Sequence, residues 1–483
     1  MSSKDQSCKN DSMEHLLREG RIVAKSNVDL TPELISLLGA VHGSYLENNG
    51  IIVIGRDYRR DCRMLKRAYT AGAMSTGIDI LDLHVAPLPL VEFCIRRFGA
   101  SGGVYFTSGH AHYEEISIRF FNSLGIELPN NEMEKISSIW EKKAIKRVPP
   151  ANVGKLSTIP HTESVYQKAV PGFIDKSLIK GKKMVLDCSY GPSGEISPTL
   201  FSNLDIEIIS LNTFVPNEIQ TMIPNYYSIK QISNIIKASS AELGVVMDVD
   251  GSRAIYLDET GAIADFDQIL AIFLLYEKSI KNNRQSPVIL SQSTSSIIPK
   301  ICADCEQQFY EVDNTPGVIS QKIKEHRAIF GASNTGKFYF AEYGPFSDAN
   351  LTTLKLLEIM GETGMPLSKL TRETPKTIKG FKDITINAEV LGGLFNIFDP
   401  NKKQTGYTII DALYGVKVIF EPGSWVLLKP SLHRDAIELS AESPNKETVN
   451  EMIREMERLL LAEEEKLTGT KGKMTSTNNA KKR

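Results

Sequence analysis

The sequence predicts an α/β protein built from three similar mixed α/β/α domains followed by a smaller C-terminal α+β domain. Three observations carry that expectation. At 483 residues the chain is too long for one hydrophobic core, and roughly 150 residues per domain gives three or four. Short apolar runs alternate with helical stretches in three successive series, which is βαβ grammar. The C-terminal part instead sets strands in succession before a single long helix, the order of an α+β unit.

The first unit, 16–150, carries IIVI (51–54), ILDL (80–83) and GVYF (103–106), separated by helical stretches at 63–75 and 88–98. Prolines and charges around 145–155 mark a linker. The second unit, 151–258, repeats the pattern with KKMVLDC (182–188), IEIISL (206–211) and LGVVMDV (243–249). A third, 259–372, runs through PVILSQ (287–292), QQFYEVD (307–313) and KFYFAEY (337–343), with helices near 266–280, 294–304 and 349–361. After a basic, Pro-containing stretch at 365–380, the fourth unit, 373–465, holds KVIF (417–420), SWVLLKP (424–430), AIELSAES (436–443) and a helix at 446–464. Residues 1–15 and 466–483 are expected to be disordered; the tail has six basic residues and no acid. A solvated terminus is the preferred reading of that tail over attraction to nucleic acid, which is not expected as a partner.

An apolar share of 41%, a charged share of 24% and a formal charge of -2 are ordinary globular values, from which neither disorder nor a polyanion-binding surface follows. No run approaches the roughly 18 apolar residues of a membrane span, and the start, MSSKDQSCKNDSMEH, lacks the apolar stretch of a signal peptide. A cytoplasmic protein with no membrane partner is expected. The six cysteines are mostly dispersed and expected to be reduced. Cys302 and Cys305 have redox-motif spacing, but no second Cys/His pair completes a zinc site and helix packing is the preferred reading.

Four loops concentrate the chemistry. GASGGVYFTSGHAHYEEISIRFF (99–121) places a polar turn directly after a buried strand, where an α/β sheet exposes reactive groups. His110 and His112, two apart, share a face of an extended segment and suit a metal, a base, a phosphate contact or a loop hydrogen bond. Asp248-Val249-Asp250-Gly251-Ser252-Arg253 ends an apolar strand; its oxygen-rich pattern fits Mg²⁺, and equally a metal-free Asp/Gly turn. GASNTGKF (331–338) approximates a P-loop, but Phe338 stands where the Mg²⁺-binding hydroxyl is needed and a strand follows instead of a helix, so nucleotide hydrolysis is rejected. Lys429-Pro430-Ser431-Leu432-His433-Arg434 is a cationic turn that suits either a phosphate or plain solvation.

In this order the four loops resemble the active-site loops of the phosphohexomutases, one from each of four domains. The similarity spans roughly 20–465 and is carried by LTPEL (30–34), IGRDYR (54–59), APLPLVEF (86–93), GASGGVYFTSGH (99–110), VLDCSYG (185–191), SDANLTTLKLLE (347–358) and SWVLLKPS (424–431). The resemblance implies four domains around a central cleft. It also implies a hexose or hexosamine phosphate as ligand, Mg²⁺ as cofactor, and a phosphoserine that passes its phosphoryl group to the sugar and regains one from the bisphosphate.

The reacting positions depart from the family pattern. Where the family reads Thr-Ala-Ser-His-Asn-Pro this chain reads Thr107-Ser108-Gly109-His110-Ala111-His112, so Gly109 takes the nucleophile's position and Ser108 lies one residue away, facing the other side of an extended loop. Loss of a covalent nucleophile can cost on the order of 10⁶ in rate. Of the family's metal loop, Asp248 and Asp250 remain while the third Asp is Ser252, which implies a weakened Mg²⁺ site. In the sugar-reading loop Ser333 replaces the Glu, with Thr335 and Lys337 beside it. In the phosphate loop the closing Arg becomes Glu438; a carboxylate about 4 Å from a phosphate charge costs about 4 kcal/mol at an effective dielectric of about 20, so Glu438 must turn away or abolish that site, and Lys429, His433 and Arg434, with Ser431 beside them, are left to form a displaced anion site. Arg56, Asp57, Arg59, Arg119, Arg253, Gly251 and Gly336 keep the family's residue types, and Arg21 is a loose match to its N-terminal Arg.

The expectation is therefore a phosphohexomutase-like protein without the catalytic serine. It would bind sugar phosphate through Arg56, Arg119, Arg253 and the loop residues, or partner an intact mutase paralogue, as a monomer or homodimer. The alternative keeps mutase or phosphatase activity through phosphorylated His110 or His112, with Asp248 and Asp250 on Mg²⁺.

Overall fold

A computed structural model describes residues 16–18, 20–109, 114–214, 226–374, 377–387, 398, 408–412, 415–421, 423–431 and 436–468. The chain divides into two compact units, Met1–Ala264 with Thr315–Lys369, and Asp265–Asn314 with Leu370–Arg483.

In the first unit a seven-stranded sheet runs Leu17–Arg18, Arg21–Lys25, Glu115–Asn122, Gly102–Ser108, Ile51–Arg56, Asp79–Val85, Leu156–Ser157 in spatial order. Strand Ile51–Arg56 is parallel to both neighbours, whereas the central strand Gly102–Ser108 turns back antiparallel into Glu115–Asn122. Strands buried on both faces read as continuous apolar runs, which is why Gly102–Ser108 was visible in the sequence. Helices Pro32–Tyr45, Arg60–Met74 and Leu88–Arg97 cover this sheet; the first is capped by Thr31, with Pro32 at its opening position. A second sheet of five strands, in spatial order Ile263–Ala264, Ala254–Asp258, Leu243–Met247, Lys183–Asp187, Glu207–Leu211, supplies the turn 248–253 between its antiparallel pair Leu243–Met247 and Ala254–Asp258. The same unit holds the hairpin Phe330–Ser333/Lys337–Phe340 and the helix Ala349–Thr363.

In the second unit, Val288–Ser291 and Phe309–Val312 pair in parallel. An antiparallel sheet of five strands, Ile378–Thr385, Ala436–Ser443, Ser424–Pro430, Gly415–Glu421, Thr408–Ala412, packs its apolar face on the helix Lys446–Thr468 through Val449, Met452, Met456 and Leu460. That helix continues past the expected start of the disordered tail. Lys466 pairs with Glu463 at 2.8 Å, and the Thr468 hydroxyl donates to the Glu464 carbonyl at 2.8 Å, holding the last turn together. Residues 1–15 and 469–483 lie outside the described residues.

Cys302 is buried in the helix Ile297–Asp304 and Cys305 caps it. Burial pushes the Cys302 thiol up to about 12, as befits a packing residue. Among the described residues no helix is long and apolar enough to cross a membrane.

Candidate functional site

The antiparallel pair Gly102–Ser108 and Glu115–Asn122 presents Thr107, Ser108 and Gly109 at the end of the seven-stranded sheet. Ser108 is buried, and both its hydroxyl (3.2 Å) and its amide (2.9 Å) donate to Asp57 Oδ2. Thr107 Oγ1 adds a longer contact to the same oxygen at 3.3 Å, and the Arg59 amide donates to Asp57 Oδ1 at 2.9 Å. Burial pushes the Asp57 carboxyl up while these bonds act against the shift. Gly109 donates its amide to the Glu115 carbonyl at 2.9 Å, so the ladder extends one residue beyond the strand. A Cβ on Gly109 would stand 2.5 Å from Glu115 Cβ and 3.1 Å from Glu115 Oε2. Arg56 Nη1 donates to the Asp57 carbonyl at 2.6 Å, and its buried Nε has no hydrogen-bond partner among the described residues. His110 and His112 lie outside the described residues.

The turn 248–253 folds its carboxylates inward. Asp248 and Arg253 close it through their backbones at 3.1 Å, and Gly251, at φ 75°, supplies the left-handed step. Asp248 Oδ2 accepts from Arg253 Nε at 2.7 Å and lies 3.4 Å from the Ser252 hydroxyl, while its Oδ1 accepts from the Arg253 amide at 3.2 Å. Asp250 Oδ1 accepts from the Ser252 amide at 2.9 Å, and its Oδ2 from Arg119 Nη1 at 2.7 Å. Burial and the neighbouring Asp250 push the Asp248 carboxyl up. The same burial acts on Asp250, but Arg119 and then Lys337 outweigh it and hold that carboxyl well below the usual range.

Arg119 is the hub. It is 3% exposed, and its other nitrogens form a fork on Glu127 at 3.1 and 2.9 Å. Glu127 also takes Arg21, with Nη2 at 2.8 Å and Nε on the second oxygen. Arg21 is therefore paired within this network. On the helix Leu88–Arg97, Glu92 is 6% exposed among buried apolar neighbours, and its Oε2 has no hydrogen-bond partner among the described residues. Burial pushes its carboxyl up, with Arg119 and Lys337 opposing.

The third loop joins the same cluster. The hairpin pairs Ser333 with Lys337, and the Ser333 and Thr335 hydroxyls lie 2.8 Å apart. Ser347 ties this hairpin to the Asp turn, donating its hydroxyl to the Ser252 carbonyl at 2.7 Å and accepting the Phe338 amide at 3.1 Å. Burial and the adjacent Arg119 push the Lys337 amine down, with Asp250 opposing. Arg119, Asp248, Asp250, Ser252, Arg253 and Lys337 are thus brought together.

The fourth loop belongs to the second unit. Lys429 Nζ pairs with buried Asp313 at 2.5 Å. The Ser431 hydroxyl donates to Glu438 Oε1 at 2.8 Å. His433 and Arg434 lie outside the described residues.

Sequence reasoning missed Glu92, Glu115 and Glu127. The available signal for Glu92 was an acid on the apolar face of LPLVEFCIRR, a buried charge that must find compensation.

The chain matches the family descriptions "Phosphoglucomutase/phosphomannomutase, alpha/beta/alpha domain I" over residues 18–147, domain II over 161–261 and domain III over 265–378. It is 26% identical over 436 residues to a phosphoglucomutase/phosphomannomutase of Thermococcus kodakarensis, covering 89% of this chain and 94% of that protein. Against a probable phosphoglucosamine mutase of Methanobrevibacter smithii it is 27% identical over 448 residues, covering 90% and 97%. Its fold resembles a crystal structure of a phosphoglucomutase/phosphomannomutase family protein from Burkholderia thailandensis, with TM-score 0.80 and 18% identity over 92% of this chain and 97% of the other. It also resembles the Aspergillus fumigatus N-acetylphosphoglucosamine mutase solved with GlcNAc-6P and magnesium, with TM-score 0.58 and 12% identity over 95% and 99%.

Proposed function

Because this chain belongs to the phosphoglucomutase/phosphomannomutase family, we propose that it binds a hexose or hexosamine phosphate without turning it over as a mutase, acting as a sensor or as the regulatory partner of an intact mutase. The observation that carries this reading is the packing at Gly109, the residue that the motif resemblance sets against the family's nucleophilic serine: Glu115 stands where a side chain on it would begin. Ser108, one residue away, is buried with its hydroxyl on Asp57, and that burial supports the same reading. Without a group to carry the phosphoryl between the two half-reactions, the covalent cycle has no first step. The cations around the Asp turn support retention of an anionic ligand. The Aspergillus protein's ligand, GlcNAc-6P, indicates the class of compound to try first. We take the protein to act in the cytoplasm, in carbohydrate metabolism.

The test is incubation of the full chain with hexose 1,6-bisphosphate labelled in both phosphates, alongside a melting-temperature panel of hexose and hexosamine phosphates. Stabilisation by a sugar phosphate with no label on the protein is the expected result; stabilisation of about 2 kcal/mol is readily seen in such a panel. Acid-labile label that disappears in His110→Ala or His112→Ala overturns the reading in favour of a phosphohistidine enzyme. A flat panel overturns it in favour of a protein whose role is assembly alone.

A further inference from the structure

All four carboxylate oxygens of the metal-type turn accept hydrogen bonds from the protein itself: Asp248 from Arg253 and the Ser252 hydroxyl, Asp250 from Arg119 and the Ser252 amide. The third position of the turn is a neutral hydroxyl. Among the described residues there is no group of three His, Cys, Asp or Glu side chains able to hold a metal ion. Mg²⁺ demands near-octahedral oxygen ligands at short range and gives up its own water reluctantly, so it needs carboxylates free to turn toward it. Here each carboxylate is fixed by a guanidinium.

The charges lead to the same point. Asp248, Asp250 and Glu127 face Arg21, Arg119, Arg253 and Lys337, while burial pushes the neighbouring Glu92 carboxyl up toward its neutral form, so the carboxylates are already outnumbered by cations before any metal enters. A bound dication would leave a buried excess of positive charge beside Arg119, whose pairing with Glu127 leaves it no freedom to withdraw. The donor set does not fit the metal.

We infer that Arg119, Arg253 and Lys337 have taken over the place of the divalent cation, so that the turn 248–253 holds no metal and meets an anionic ligand with fixed side-chain charge. The ligand half of this inference rests on the reading of the site as one for sugar phosphate; the metal half does not. Lys337 stands where the family's sugar-reading loop ends, on the hairpin that Ser347 ties to the Asp turn, and its charge acts on Asp250 through space. The sequence changes Gly109, Ser252 and Lys337 then belong together: two remove anionic ligands from a metal, and the third supplies positive charge in its stead.

The experiment uses the full chain after dialysis against EDTA. Mn²⁺ alone is titrated and the free ion followed by electron paramagnetic resonance. The expected result is an undiminished free signal into the millimolar range. Saturable loss of signal that Asp250→Asn abolishes overturns the inference. In the double variant Ser252→Asp/Lys337→Asn, which restores a carboxylate and removes a cation, Mn²⁺ affinity should rise about tenfold or more. If that variant melts cooperatively and still ignores Mn²⁺, these residues are not what excludes the metal. A melting series with glucosamine 6-phosphate, in EDTA and in Mg²⁺, tests the ligand half. Equal shifts support it. A shift that requires Mg²⁺ overturns it while leaving the proposed function standing. No shift in either condition counts against the proposed function, and the Mn²⁺ titration still decides the metal question.

Discussion

Glu115 occupies the space in which a side chain at position 109 would begin: its Cβ lies 2.5 Å from the site of a Gly109 Cβ, closer than real Cβ contacts come. The contact is made by the base of the Glu115 side chain, next to backbone, so it cannot be relieved by swinging a flexible tip. Gly109→Ser is therefore expected to cost about 1–3 kcal/mol of stability and to restore no phosphoryl transfer. Urea unfolding and a coupled mutase assay check this. Glu115→Gly in the same chain should recover most of the lost stability, and a Gly109→Ser protein as stable as the wild type would show that the hairpin has room the structure lacks.

The fork of Arg119 on Glu127, with its third contact to Asp250, is a buried ion pair of the kind that is expensive to halve. Arg119→Met should destabilise by about 3–5 kcal/mol, because two carboxylates lose their shared cation at once. Arg119→Lys should recover only part, since an ammonium cannot reproduce the fork. In a double-mutant cycle, Arg119→Met with Glu127→Gln should cost clearly less than the sum of the single changes. Simple additivity would mean that the network contributes nothing beyond its separate side chains.

The difference between what was legible and what was not follows from range. Strand Gly102–Ser108 and helix Ala349–Thr363 were readable because their signals are local: a two-face-buried apolar run in one case, an Asp cap followed by helical spacing in the other. The loops were readable as motifs for the same reason. The pairing inside the site was not. Arg119 and Asp250 are 131 residues apart, and nothing in either segment names the other. Arg119 was expected to meet a ligand, and nothing in its own segment told that it also pairs with Glu127 and Asp250. Glu127 follows the strand in an unremarkable Ile-Glu-Leu, where an acid reads as surface until the fold brings two arginines to it.

His42 should give the protein a pH-dependent weakness on the acid side. It is buried in the helix Pro32–Tyr45, with Nδ1 2.5 Å from the Tyr69 hydroxyl and its ring edge-on to Phe120 at 5.0 Å. Burial pushes its pKa down to about 3, from about 6.5 in the unfolded chain. Between these values the unfolded chain binds a proton that the folded one refuses, so stability falls as pH falls, by at most about 1.4 kcal/mol per pH unit. His42→Gln removes the titration. From pH 6.5 to 5 the wild type should lose about 2 kcal/mol more than this variant in urea unfolding. Parallel losses would mean that the imidazole is not held neutral.

Asp348 should act with the opposite sign. It caps the helix Ala349–Thr363 through the amides of Asn350 at 2.9 Å and Leu351 at 3.4 Å, while its other oxygen accepts the hydroxyls of Tyr166 at 2.7 Å and Tyr343 at 3.0 Å. Burial pushes its pKa up to about 6, with the tyrosine and amide donors acting against the shift. A folded-state pKa above the unfolded value of about 3.9 means that the folded protein holds the proton longer, so this contribution is fully present below that value and is lost as pH rises toward 6. Asp348→Asn keeps a capping oxygen and has no proton to lose. Relative to that variant, the wild type should lose about 2–3 kcal/mol between pH 4 and 7. At pH 8 the Asn variant should be at least as stable as the wild type. Asp348→Ala, by contrast, removes the cap and strands two buried tyrosine hydroxyls, which should cost about 2–4 kcal/mol at the same pH. If Asn and Ala prove equally damaging at pH 8, the carboxylate's charge is what the helix terminus uses, and the two hydroxyls are incidental to it.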